Sequence, residues 1–80
     1  MEAQTPSLVG LKKPADYRAE RSDFFPSDSS LTWAMRLHRE RLVVAGAIVK
    51  VAGRIFIRPA AFDAVVLAAG QAALQGAHHG

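Results

Sequence analysis

Six cations, Arg36, Arg39, Arg41, Lys50, Arg54 and Arg58, lie between residues 31 and 58 with a single acid, Glu40, a net charge of +5. Residues 1–30 and 59–80 carry −1 each, so the basic middle of the chain sits between slightly acidic flanks. A guanidinium can fork onto the O6 and N7 atoms of guanine or onto two phosphate oxygens, and an ammonium neutralises a phosphate as a point charge. Positive charge gathered on one folded unit points to a polyanionic ligand, because neutralising phosphates releases condensed counterions. The competing reading, that these residues only solubilise a small domain, fits less well: an ordinary solvated surface interleaves the two signs.

Other chemistry is scarce. Six of the seven acids fall outside residues 31–58. There is no paired-carboxylate site, no nucleophile with a base beside it, no Gly-rich phosphate loop and no metal-ligand spacing. The absence of cysteine excludes disulfides, thiol chemistry and a Cys-based zinc site. His78 and His79 form a terminal pair without acid or Cys partners, so no metal and no cofactor is expected. The chain is therefore not expected to be an enzyme.

The elements that must position the cations follow from periodicity. At 100° per residue, residues 29–44 form an amphipathic helix. Leu31, Trp33, Ala34, Met35, Leu37, His38, Leu42, Val44 and Ala45 share a broad arc, which predicts a buried side that includes Trp33. The opposite arc holds Ser29, Thr32, Arg36, Arg39, Glu40 and the apolar exception Val43. That narrow face suits a major groove, where Arg reads guanine and Thr touches a base edge or a thymine methyl. Its alternative is a solvated face with Arg36 and Glu40 as an i,i+4 pair. Arg41 falls within the apolar arc, so either its stem runs along the core or the helix breaks near residues 38–41 into two. After such a break the reading element could begin near Arg39, which would make Arg41 a DNA contact. His38 is expected to be a partly buried structural residue.

Ala45, Gly46 and Ala47 close the helix, with Gly46 in the left-handed position past its end. AIVKV and RIFIR then flank Ala52 and Gly53, the pattern of a β-hairpin with a two- or three-residue loop. Lys50, Arg54 and Arg58 would lie on or near this ribbon. Edge cations also discourage strand-to-strand aggregation, which is the plainer explanation for them. Pro59 opens a last helix and Gly70 is expected to end it, with Phe62, Val65, Val66 and Ala69 docking on the hairpin.

Upstream, Phe24 and Phe25 before Pro26 predict a short extended segment entering the core. Ser27 or Asp28 would cap the following helix while Phe25 packs back onto Leu31. Residues 1–21 mix Pro6, Gly10 and Pro14 with scattered charge and no sustained period, which predicts a mobile arm. Lys12 and Lys13 on that arm could touch a phosphate or a minor groove.

The order FFP, SSLTWAMRLHR, AGAI, IVKVAGRIFIRP, PAAFDAVV resembles the small winged-helix DNA-binding proteins of mobile elements, in particular the excisionases, or recombination directionality factors. The likeness covers about residues 23–69 and rests on pattern rather than on an invariant motif. It implies an α+β fold, a small winged helix-turn-helix with a two-stranded hairpin wing. It also implies an architectural role, in which copies bind side by side on double-stranded DNA, bend it, and bias an integrase towards excision. Ser29, Thr32, Arg36, Arg39 and Arg41 would then belong to the recognition helix, and Lys50, Arg54 and Arg58 to the wing. One departure is plain: many members carry a separate short helix before the recognition helix, and few residues separate Phe25 from Leu31.

The expected organisation is an arm over residues 1–22, a winged-helix domain over 23–70 and a flexible tail over 71–80. The expected partners are double-stranded DNA, further copies of the chain and an integrase. A transcriptional repressor or plasmid-maintenance protein would use the same surface, and a protein-interaction module would not need the basic middle. No apolar run approaches the roughly 20 residues of a membrane span, so a cytoplasmic location and no membrane contact are expected.

Overall fold

The computed structural model describes residues 8–77, which form a small α+β fold. In chain order the elements are α1 (Pro14–Glu20), α2 (Asp28–Leu37), α3 (Arg39–Val44), β1 (Ile48–Val51), β2 (Arg54–Ile57) and α4 (Pro59–Ala77). His78, His79 and residues 1–7 of the expected arm lie outside the described residues.

The first correction concerns residues 14–20, expected within a mobile arm. Pro14 opens α1 at a position where its missing N–H costs nothing, and Asp16 in the first turn suits the helix dipole. Tyr17 on this helix is 1% exposed. Its ring lies 4.9 Å from that of Phe62 and 6.2 Å from that of Phe25, and Phe25 meets Phe62 edge-on. These three rings with Leu31, Leu42, Ala47 and Ile57 are the buried core. Just before α1, Lys12 exchanges two backbone hydrogen bonds of 2.8 Å with Ile57, so the hairpin gains one residue of a third strand.

Phe24 and Phe25 do not form a strand. Both N–H groups return to the Arg21 carbonyl at 2.9 Å, making a turn that leaves Phe24 74% exposed and drives Phe25 into the aromatic cluster. The sheet edge that an extended segment would need, at Ile57, is held by Lys12. Ser27 then caps α2 in a reciprocal box with Ser30: Ser27 Oγ accepts from the Ser30 N–H and Ser30 Oγ from the Ser27 N–H, each at 3.2 Å.

The helix expected over residues 29–44 is broken at His38, which ends α2 and begins α3 with φ −109° and ψ 20°. The break turns Leu42 fully into the core and swings Arg41 into solvent, resolving the conflict of a cation in an apolar arc. Gly46 follows at φ +70°. The Ala47 N–H reaches back to the Leu42 carbonyl and the Gly46 N–H to the Val43 carbonyl, a Schellman closure.

The hairpin pairs Ile48 with Ile57, Val49 with Phe56, Lys50 with Ile55 and Val51 with Arg54. Its loop is two residues long, with both Ala52 (φ +51°) and Gly53 (φ +80°) left-handed, as a type I′ turn requires. α4 runs on through Gly70 to Ala77 instead of stopping. Six alanines among residues 64–77 favour helix strongly enough to carry the chain past Gly70 and Gly76. The helix packs on α3 and, through Phe62, Val65 and Val66, on the aromatic core, not chiefly on the hairpin as expected.

Candidate nucleic-acid interface

One set of contacts ties α1 to the start of α2, and another ties α1 to α4. Arg18 on α1 donates from Nη1 to the Phe25 carbonyl at 3.2 Å, and its Nε lies 2.9 Å from Asp28 Oδ1 at the start of α2. On the other side, Arg21 forks onto Asp63 of α4, Nε to Oδ1 at 3.0 Å and Nη2 to Oδ2 at 2.7 Å, while Tyr17 Oη donates to the same carboxylate at 2.6 Å. The Arg21 hydrogen bonds hold the Asp63 carboxyl below the usual carboxylate range, and burial, reinforced by Asp63, pushes the Tyr17 phenol up. The guanidinium also sits 4.9 Å above the Tyr17 ring. The segment expected to be a loose arm thus frames the fold by linking α2 to α4.

The exposed face of α2 carries Ser29, Thr32, Arg36 and, unexpectedly, Trp33, which is 64% exposed. Leu37 beside them is exposed too, and so are Val44 and Ala45, so four members of the expected buried arc face solvent. Ala34, Met35 and His38 are half-buried and Leu31 and Leu42 buried, as expected. Arg39 and Arg41 stand exposed on α3, and Arg36, Leu37, Arg39, Glu40, Val43 and Val44 line one shallow depression across the α2–α3 joint. Arg36 and Glu40 form no ion pair, because the break at His38 takes them off a common helix.

Lys50 and Arg54 are exposed on the hairpin. Their register places them on opposite faces of the ribbon, since Lys50 pairs with Ile55 and Arg54 with the neighbouring Val51. Arg58, grouped with the wing from the sequence, is half-buried at its base and donates from Nε to the Gly46 carbonyl at 3.2 Å, tying the end of β2 to the end of α3.

This separates the cations into two populations. Lys12 is paired with Glu20 at 2.9 Å, and Arg18, Arg21 and Arg58 are committed to the contacts above. Among the described residues, Arg36, Arg39, Arg41, Lys50 and Arg54 make no ion pair or hydrogen bond within the protein, nor does Lys13 at the start of α1. Five of these six free cations belong to α2, α3 and the hairpin. Sequence reasoning missed α1 and the exposure of Trp33; the signal for α1 was Pro14 followed by Asp16 and a lone aromatic at Tyr17.

Among the described residues no cluster of acids and histidines could hold a metal ion, and no helix is long and apolar enough to cross a membrane. Set against protein-family models, curated proteins and solved structures, the chain gives no match.

Proposed function

We propose that this protein is a sequence-specific DNA-binding architectural factor of winged-helix type, similar in role to an excisionase that biases an integrase towards excision of a mobile element. The observation that carries the reading is the sorting of charge: apart from Lys13, the cations in and around α1 are paired within the protein, while the exposed ones on α2, α3 and the hairpin strands are left for a ligand. The order α1, turn, α2, then a two-stranded ribbon whose base is joined by a residue from before α1, supports it. It also supplies the short helix that the sequence alone lacked, since α1 and α2 make the helix pair and α2 becomes the reading helix. In this arrangement Ser29, Thr32 and Arg36 face the bases, Arg39 and Arg41 lie towards the flanking backbone, and Lys50 and Arg54 hold phosphates from the wing.

The test is selection of bound duplexes from a random pool and from genomic fragments. Arg36→Ala costs about 1–3 kcal/mol on the selected site and relaxes its sequence, whereas Lys50→Ala weakens all duplexes alike and lowers the salt slope by about one. Recovery of tandem sites beside an integrase gene, with a change in excision frequency when the protein is supplied, supports the excisionase role. A lone promoter operator with no effect on recombination assigns a repressor instead. No enriched DNA, with a protein partner retained after charge reversal of Arg36 and Arg39, contradicts DNA binding altogether.

A further inference from the structure

Trp33 is the chain's single tryptophan, and the fold leaves it 64% exposed on α2 with no ring partner among the described residues. An indole is among the most valuable groups a small core can bury, and this core is built instead from Tyr17, Phe25 and Phe62. At about 100° per residue Trp33 projects within about 60° of both Ser29 and Arg36 and roughly opposite Leu31. The ring therefore belongs to the same face as the free guanidinium of Arg36, not to the core side.

Resting on the DNA-binding reading above, we infer that Trp33 is a base-reading residue whose indole contacts the 5-methyl group of a thymine in the major groove. A phosphate can accept only from the indole N–H and leaves the apolar faces of the ring without a partner, so a purely backbone-binding helix makes little use of it. The major-groove edge carries one apolar group, the thymine methyl, and it is the natural complement of an indole held there. Of the exposed neighbours of the ring on α2, Ser29, Thr32 and Arg36 are polar or basic and Leu37 alone is apolar, which suits a wet groove better than the broad apolar patch that a protein partner covers. The cognate site then contains a required A·T pair within a step or two of the G·C pair read by Arg36.

The experiment uses the whole chain and the best duplex recovered from a random pool, prepared with each thymine in turn replaced by deoxyuridine, which removes only the methyl. One replacement lowers wild-type affinity about fourfold, the worth of one methyl-sized group withdrawn from water. Trp33→Ala binds the thymine duplex about tenfold more weakly and no longer distinguishes thymine from uracil at that position, while Trp33→Phe keeps part of the difference. Circular dichroism of both variants matches wild type, because the residue is outside the core. Iodide quenches the tryptophan fluorescence of the free protein and not that of the complex.

Wild-type affinity in Trp33→Ala, an unchanged uracil effect in that variant, or a tryptophan still quenched in the complex overturns the assignment while leaving DNA binding intact. A selected site without a shared A·T pair does the same, and protection from iodide before DNA is added assigns the ring to a protein contact. Failure of the wild-type chain to enrich any duplex defeats the DNA-binding reading itself, before a Trp33 variant is compared.

Discussion

Asp63 joins the first helix to the last by accepting from Tyr17 and forking with Arg21, and its carboxyl is held below the ordinary range chiefly by the Arg21 hydrogen bonds. Glu20 is lowered as well, first through Lys12. A carboxylate depressed in the folded state contributes stability that is fully present above its unfolded pKa of about 4 and is lost as pH falls through the folded value. Urea unfolding should therefore give a constant free energy from about pH 7 to 5 and a declining one below about pH 4. Asp63→Asn should lower stability by about 1–2 kcal/mol at pH 7, a figure reduced for partial exposure, and should remove most of the acid decline. An acid decline unchanged in Asp63→Asn would mean that the fork stabilises nothing. The residues of the proposed interface are the opposite case: Arg36, Arg39, Arg41, Lys50 and Arg54 are left without internal partners, so replacing them should alter binding far more than stability.

At the scale of elements, the same residue type has opposite meanings at two helix positions. Gly46 closes α3 at φ +70°, where any Cβ is strained, so Gly46→Ala should cost about 1 kcal/mol. Gly70 lies inside α4, and a Cβ there meets nothing within 4 Å, so Gly70→Ala should stabilise by about 0.5–1 kcal/mol. Thermal melts of the two variants check both signs, and equal shifts would mean that α4 does not continue through residue 70. The hairpin, Gly46 and the capping serine were legible because they depend on local chemistry: β-branched runs around a Gly turn, a left-handed glycine, a hydroxyl before a helix. α1 was not, since seven residues with one large side chain show no repeat, and it is tertiary contact between Tyr17 and Phe62 that makes the segment helical. Trp33 was misplaced for a related reason. Projected as one helix, residues 29–44 show an apolar arc wide enough to take in Trp33, whereas the broken helix buries only Leu31 and Leu42, with Ala34 and Met35 packed beside them. The same break was foreseen only through the awkward place of Arg41.

For the molecule as a whole, seven buried apolar residues among those described make a small core, and Phe62 is at its centre. Phe62→Ala should cost about 3–5 kcal/mol, a large part of what a domain of this size commands, and should leave the chain largely unfolded by circular dichroism at 25 °C. A ligand that binds only the folded state raises apparent stability in proportion to its concentration, so a cognate duplex should raise the melting temperature of the wild-type chain and partly restore the Gly46→Ala variant. Charge is divided on the same scale, with Glu20, Asp28 and Asp63 meeting Lys12, Arg18 and Arg21 while the exposed cations of α2, α3 and the hairpin are left free. The most direct test of that division is the salt dependence of affinity for the selected duplex. Engagement of the five free cations of α2, α3 and the hairpin predicts a slope of log K against log salt of about −4 to −5, falling by about one for each of Arg36, Lys50 or Arg54 removed. A slope near zero, or one that these substitutions leave unchanged, would contradict the account.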